Sequence, residues 1–137
     1  MRRLDETTFV AVRQVTAGDM DEAAASGIRL IVNNRPDGEE PGQPCSSEIE
    51  AAARDAGLNY RHIPIAGVIP PEQVEAMAEA LEQGPVLAFC RSGTRSVFLW
   101  ALARAAKGTP AEESVAAAAA AGYDLGPIRA LLQTLSC

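Results

Sequence analysis

Short apolar runs alternate with amphipathic stretches along most of this chain. Residues 28–33 and 85–89 are almost wholly apolar, as is typical of strands that are buried on both faces of a sheet. Residues 59–65 predict a third strand, and residues 8–12 predict a short strand at an edge of the sheet. The stretch after Pro70 repeats apolar side chains at helical spacing and predicts a helix.

Further helices are predicted between and after these strands. Thr16 with Asp19, and Ser47 with Glu50, have the spacing at which two side chains cap a helix N-terminus reciprocally. Strands that alternate with helices predict a parallel sheet covered on both faces. The chain is therefore expected to be a single α/β domain that covers residues 1–137. The remaining helices are predicted at about residues 95–106, 109–121 and 127–135.

Composition and charge narrow the classes of function. The chain is 47% hydrophobic and 22% charged, as is typical of a globular protein, and its net charge is −6. This acidic balance argues against nucleic acid or an anionic membrane surface as the main partner. No apolar run reaches the length of about 18 residues that a membrane span needs. The first six residues lack the apolar stretch of a signal peptide, so a cytoplasmic location is expected.

The three cysteines do not form a recognisable structural set. Cys45, Cys90 and Cys137 are odd in number and have no C-x-x-C spacing, so neither a disulfide framework nor a metal site is predicted, and no cofactor is expected. Cys45 is a candidate for a resolving thiol, although a loop cysteine more often has no such role. No role is expected for Cys137.

The sequence CRSGTRS at residues 90–96 concentrates reactive and anion-binding groups directly after a predicted buried strand. In a strand–loop–helix arrangement the loop amides and the helix N-terminus favour negative charge, which lowers the pKa of a thiol held there. Cys90 is therefore expected to be the nucleophile, and Arg95 to grip an anionic substrate with two parallel hydrogen bonds. The other anion-binding residues expected in this loop are Arg91, Ser92, Gly93, Thr94 and Ser96.

Three more residues are weaker candidates for the rim of this site. Arg35 and Asp37 follow a predicted strand whose loop is expected to open on the same side of the sheet as Cys90. Their Pro-Asp-Gly context is equally typical of an ordinary turn. His62, the only histidine, is a candidate base or substrate ligand, although a lone histidine in a strand more often has a structural role.

Two resemblances to known families lie on particular stretches. Residues 90–96 resemble the active loop of single-domain rhodaneses. The rest of the chain resembles the bacterial beta-lactamase-hydrolase-like family, in LIVNNRPDGE at residues 30–39, YRHIPI at 60–65 and AGYDL at 121–125. The second resemblance implies a fold like that of the dual-specificity tyrosine phosphatases, with a mostly parallel sheet of four or five strands flanked by helices. It also implies an activity that is described either as phosphatase or as sulfurtransferase.

The number of residues between the cysteine and the arginine helps to distinguish phosphatase from sulfurtransferase in the sequence. Phosphatases with this fold place five residues between the nucleophile and the arginine, whereas four separate Cys90 from Arg95. The shorter loop predicts a narrower ring of amides, suited to one sulfur atom. Phe89 stands where those phosphatases usually carry histidine, and residues 66–84 contain no aspartate to protonate a leaving alcohol.

The sequence therefore favours a sulfurtransferase. Sulfur would pass from a small anionic donor, such as thiosulfate or a persulfide, through a Cys90 persulfide to a thiol acceptor. A cysteine-based phosphatase that forms a phosphocysteine is the first alternative, and a non-catalytic oxyanion-binding module is the second. Oligomeric state is left open by the sequence.

Overall fold

The computed structural model describes residues 1–135 and has a five-stranded sheet at its centre. The order across the sheet is β1-β2-β5-β3-β4, and all neighbours are parallel except the antiparallel pair β1 and β2. The predicted α/β class with a mostly parallel sheet is confirmed. The strands are β1 (Arg2–Arg3), β2 (Thr8–Val10), β3 (Leu30–Asn33), β4 (Asn59–His62) and β5 (Val86–Phe89).

Helices cover both faces of the sheet in the described part of the chain. Two lie on one face, namely α1 (Met20–Ala25) and α2 (Ser46–Asp55), and they pack in the smaller apolar core. The larger core lies on the opposite face. Its helices are α3 (Pro71–Leu81), α4 (Thr94–Ala106), α5 (Ala111–Ala120) and α6 (Arg129–Leu135).

Successive side chains of the central strand β3 enter different cores. Leu30 and Val32 belong to the larger core, whereas Ile31 belongs to the smaller one. Since side chains alternate between the faces of a strand, a strand covered on both faces is apolar at nearly every position. The apolar run that predicted a doubly buried strand is explained by this arrangement. Trp100 is fully buried in the larger core, and its indole N–H donates to Asp5 Oδ2 over 3.0 Å.

The strand predicted at an edge of the sheet lies inside it. Strand β1 pairs with the outer side of β2, with Arg2 opposite Val10, so β2 lies between β1 and β5. Strand β1 consists of two exposed arginines. Because so short a polar strand has no alternation of apolar and polar side chains, the sequence pattern does not reveal it.

One of the two predicted capping pairs forms. The Thr16 N–H and hydroxyl donate to Asp19 Oδ2 over 2.8 and 3.1 Å, at the 3-10 turn that precedes α1. The pair predicted at Ser47 does not cap α2. That helix begins at Ser46, whose N–H donates to Asp37 Oδ1 over 2.8 Å. A carboxylate supplied from a separate turn is not recognisable from local spacing.

The loops that follow the parallel strands β2, β3, β4 and β5 meet at one edge of the sheet, where ligands bind in open α/β folds. Cys90 directly follows β5, and α4 begins at Thr94. No helix within residues 1–135 is both long enough and apolar enough to cross a bilayer. The expectations of a single domain over residues 1–137 and of a cytoplasmic location stay predictions.

Candidate active site

Cys90 is a buried thiol surrounded by backbone donors. Only 1% of the residue is exposed, and its Sγ accepts the Gly93 N–H over 3.1 Å. Burial by itself raises the pKa of this thiol. The N–H groups of Ser96, Gly93 and Ser92, with the Ser96 side chain, outweigh burial and hold the pKa of Cys90 below its usual range. The thiolate is therefore the favoured form at a lower pH than in an ordinary cysteine.

The turn after Cys90 depends on a glycine. Gly93 has a φ of +97°, in the left-handed region, and it is the residue that precedes the first turn of α4. A Cβ at this position would collide with the Tyr123 hydroxyl and lie 2.9 Å from the Ala11 carbonyl oxygen. The chain can therefore turn tightly enough to bring its amides onto one sulfur atom at the positive end of the helix.

Arg95 points toward a carboxylate from a neighbouring loop. Its Nη1 and Nη2 donate to Glu39 Oε2 and Oε1 over 2.7 and 2.8 Å, and Nη1 also donates to the Ile65 carbonyl oxygen over 2.9 Å. The bond to Glu39 raises the pKa of Arg95, and the nearby charge of Cys90 contributes to the same shift. The guanidinium therefore lies between Glu39 and Cys90.

Arg35 lies behind Glu39 and does not form an exposed rim. Its side chain is 1% exposed, and Nε contacts Glu39 Oε1 at 2.9 Å while Nη2 contacts Glu40 at 3.0 Å. Its Nη1 donates to Gln14 Oε1 over 2.9 Å. The expectation that this residue lines the rim is wrong, because its long side chain is used to anchor two glutamates.

Glu39 joins the two arginines and is strongly ionised. Hydrogen bonds from the Arg95 guanidinium lower the pKa of Glu39 to about 2. Burial opposes this shift, and the hydrogen bond and charge of Arg35 add to it. This carboxylate holds no proton to donate near neutral pH. Sequence reasoning missed its role because charged residues in a polar turn are usually solvated.

Replacing Glu39 with glutamine is expected to weaken the acid dependence of stability. The folded state lowers the pKa of Glu39 from 4.5 to about 2. The stabilisation is therefore complete above pH 4.5 and is lost as the pH falls toward 2. The full shift corresponds to about 3 kcal/mol, which solvent screening of the 30% exposed side chain reduces to about 2 kcal/mol. Urea unfolding at a series of pH values should show E39Q less stable than wild type at pH 7, with the difference closing near pH 2. A difference that stays constant over this range would contradict the role assigned to Glu39.

The other loop residues divide into exposed and buried groups. Arg91 is 70% exposed and lies 4.0 Å from Glu40, in agreement with an outward-pointing cation. Ser92 Oγ and Thr94 Oγ1 are 3.3 Å apart on the exposed side of the loop. Ser96 is fully buried, and its Oγ forms no hydrogen bond within the described part of the chain. Of the three expected hydroxyl groups, only that of Ser96 lies on the buried side of the loop.

The side chains of Asp37 and His62 form hydrogen bonds with backbone groups. Asp37 accepts the Ser46 N–H at the start of α2, and His62 Nε2 lies 2.8 Å from the Arg35 carbonyl oxygen, to which it donates. These contacts give both side chains a structural role in the loop after β3. Cys45 Sγ lies 3.2 Å from Ser47 Oγ and 3.4 Å from Glu48 Oε1, and Cys137 lies outside the described residues. Among residues 1–135 no group of three potential metal ligands comes together.

Like Glu39, Tyr123 was not expected to be a site residue, yet it contacts the loop at residues 90–96. The Tyr123 hydroxyl donates to the Ser92 carbonyl oxygen over 2.8 Å. Tyr123 comes from the loop after α5, more than 30 residues beyond Cys90, so no local spacing reveals the contact.

Comparison with known proteins identifies the family. The model of the phosphatase-like domain of Beta-lactamase hydrolase-like proteins matches residues 1–107. This chain belongs to that family. Two curated relatives with that name, from Xylella fastidiosa 9a5c and Agrobacterium fabrum C58, are both 39% identical to this chain, over 131 and 112 residues. The matches cover 92% and 77% of this chain but only 30% and 25% of the relatives, so the chain spans less than a third of their length.

Solved structures with the same fold are phosphatases by description. A candidate phosphatase from Neisseria meningitidis Z2491 is 37% identical, with a TM-score of 0.83 over 98% of this chain and 96% of that one. Tk-PTP in its active form is 20% identical, with a TM-score of 0.72 over 98% and 95% of the two chains. Kinase associated phosphatase is 17% identical, with a TM-score of 0.70 over 88% and 78%. The expected fold of the dual-specificity and tyrosine phosphatases is confirmed.

These findings correct the main functional expectation. The resemblance to the beta-lactamase-hydrolase-like family is confirmed, and an enzyme is supported at the level of a phosphatase-like hydrolase. The prediction of a sulfurtransferase that works through a Cys90 persulfide is wrong, because the family model and the solved structures are phosphatase-like. The findings do not show the resemblance of residues 90–96 to the rhodanese loop. The small anionic sulfur donor and thiol acceptor were expected only for that reaction, and no finding tests them.

The geometry explains why the spacing argument failed. Cys90 Sγ accepts the Gly93 N–H over 3.1 Å, and the N–H groups of Ser96 and Ser92 also lower the pKa of Cys90, although Ser96 lies one residue beyond Arg95. The count of residues between the cysteine and the arginine therefore does not measure the width of the ring. The position of Arg95 in the chain sets where its side chain projects from the first turn of α4, and it does not set which amides face the sulfur.

Proposed function

We propose that this chain is a cysteine-based phosphatase that hydrolyses a phosphomonoester through a phosphocysteine on Cys90. The observation that carries the proposal is a buried thiol with lowered pKa, which accepts backbone N–H groups at the start of a helix. Membership of a phosphatase-like domain family and the 37% identical candidate phosphatase support the same reaction.

The reaction proceeds in two displacements at phosphorus. The Cys90 thiolate attacks the phosphoryl group, an S–P bond forms, and the P–O bond to the alcohol breaks with both electrons leaving on oxygen. Water then attacks the phosphocysteine and the S–P bond breaks, which releases inorganic phosphate and regenerates the Cys90 thiolate. The proton that the attacking water loses to solvent balances the proton that the alkoxide takes up from it. The loop amides are aimed at the oxygens on which charge is spread in both steps.

Arg95 retains donors for the substrate although it already binds Glu39. Its three observed bonds use both hydrogens of Nη1 and one of Nη2. A guanidinium has five N–H donors, so Nε–H and the second Nη2–H remain. These two hydrogens lie on the same edge of the planar group and can bind two phosphoryl oxygens in parallel. Glu39 and Ile65 therefore fix the arginine by one edge and leave another edge for the anion.

The test of this function uses 4-nitrophenyl phosphate, because nitrophenolate leaves without needing a proton. We expect release of nitrophenolate that orthovanadate inhibits, and a phosphoryl group on the Cys90 peptide when turnover is quenched with acid. The carboxylate of Glu39 is too acidic to supply a proton, so phenyl phosphate is expected to react more slowly. Folded protein that releases no nitrophenolate and forms no phosphocysteine would overturn the proposal.

A further inference from the structure

Tyr123 is held against the back of the catalytic loop. Its hydroxyl donates to the Ser92 carbonyl oxygen over 2.8 Å, and it occupies the space where a Cβ of Gly93 would lie. The Arg2 guanidinium lies over the Tyr123 ring, 5.9 Å from the centroid, and Arg2 Nη1 donates to the Ala121 carbonyl oxygen over 2.7 Å. The edge strand β1 therefore helps to fix the segment that carries Tyr123.

The bond from Tyr123 controls more than one atom of the loop. The Ser92 carbonyl and the Gly93 N–H belong to one peptide unit, which is planar and has these two groups pointing in opposite directions. Tyr123 binds the oxygen on the outer side, and Gly93 N–H donates to Cys90 Sγ on the inner side over 3.1 Å. A rotation of this plane would turn the N–H away from the sulfur, and the Tyr123 bond opposes that rotation.

We propose that Tyr123 is a positioning residue that locks the Ser92–Gly93 peptide plane and so keeps the Gly93 N–H aimed at the Cys90 thiolate and at the anion that it attacks. The inference depends on the proposed function only in taking Cys90 as the nucleophile. The ionisation of the thiol can be measured without a substrate, so it tests Tyr123 separately from phosphatase activity.

The charged and titratable groups around Cys90 come from three elements. Arg95 approaches from α4, with Glu39 from the loop after β3 behind it, and Tyr123 approaches from the loop after α5. Burial raises the pKa of Tyr123; Arg2 opposes the rise, and the Cys90 thiolate adds to it. The phenol therefore stays protonated while the thiol ionises and remains a donor to Ser92.

The experiment compares the pH profile of Cys90 alkylation in the wild type and in Tyr123→Phe. Reaction with iodoacetamide is followed by mass spectrometry of the Cys90 peptide, so that the other cysteines do not contribute. We expect the midpoint to rise by about half to one pH unit in Tyr123→Phe. The alkylation rate below the wild-type midpoint should fall about three- to tenfold, and the inhibition constant of inorganic phosphate or vanadate should increase where hydrolysis is observed.

The chain offers a matched control in its second tyrosine. The Tyr60 hydroxyl contacts Ser46 Oγ and accepts the Asn33 Nδ2–H over 3.0 Å, and neither partner belongs to residues 90–96. Tyr60→Phe should lower the melting temperature and leave the midpoint of Cys90 alkylation unchanged. A Tyr123→Phe midpoint equal to that of wild type would overturn the proposal. An equal rise in both variants would also overturn it, since that result would indicate general loosening of the fold.

Discussion

Replacing Cys90 with serine is expected to reduce hydrolysis of 4-nitrophenyl phosphate by at least about a thousandfold. The thiol is ionised with the help of the Ser96, Gly93 and Ser92 amides, whereas a serine hydroxyl in the same position stays protonated without an adjacent base. The amides and Arg95 remain in place, so the variant should still bind inorganic phosphate. Steady-state kinetics and calorimetric titration with phosphate measure the two effects.

Cys45→Ser provides the control for this prediction. Cys45 lies at the start of α2, where its thiol contacts Ser47 and Glu48, and its replacement should leave the hydrolysis rate unchanged. A comparable loss in both variants would indicate that the loss comes from damage to the fold. Appreciable hydrolysis by Cys90→Ser would show that another group is the nucleophile.

Replacing Arg35 with methionine is expected to cause the largest loss of stability, about 3 kcal/mol in the free energy of unfolding. The arginine side chain is 1% exposed and bonds to Gln14, Glu39 and Glu40. Methionine fills part of the volume but leaves the Gln14 amide oxygen and the glutamates without this cation. Urea unfolding at pH 7 measures the change. Without Arg35, Glu39 should be held less firmly and should position Arg95 less well, so phosphatase activity should also fall.

Replacing an arginine on the surface provides the control for Arg35→Met, because it removes an ion pair that is not buried. Arg54 is 56% exposed and pairs with Glu50 one helical turn away in α2. Arg54→Met should change the free energy of unfolding by less than about 0.5 kcal/mol, because exposed pairs are solvated on both sides of the folding equilibrium. If Arg35→Met were as stable as Arg54→Met, the buried network would have no structural importance.

The sequence predicted the site most accurately where the chemistry is local. Cys90, the glycine that allows the turn, and the helix that begins beside them lie within a few consecutive residues, so their proximity follows from the chain itself. The role of Arg95 as a ligand of the anion stays a prediction. The sequence does not reveal that one fork of its guanidinium binds Glu39, or that Nη1 also donates to the Ile65 carbonyl oxygen.

Function was misjudged for a related reason. The number of residues between Cys90 and Arg95 predicts a narrow ring of amides only if that ring ends at the arginine. In the folded loop the N–H of Ser96, which lies beyond the arginine, also lowers the pKa of the thiol. The φ and ψ angles of each residue decide whether its N–H points toward the Cys90 sulfur. The spacing of residues in the sequence does not give these angles.

By itself the sequence determined the α/β class, the doubly buried central strands and the strand–loop–helix turn that carries Cys90, because periodicity and turn chemistry act over short stretches of chain. Only the tertiary structure decided that Arg35 is buried, that Glu39 joins two arginines and that Tyr123 supports the loop. Each of these features depends on a contact between distant segments of the chain, namely Arg35 with Gln14, Glu39 with Arg95, and Tyr123 with the Ser92 carbonyl oxygen. They form only when the ends of parallel strands are brought to one edge of the sheet, and a linear pattern contains no signal for such long-range pairing.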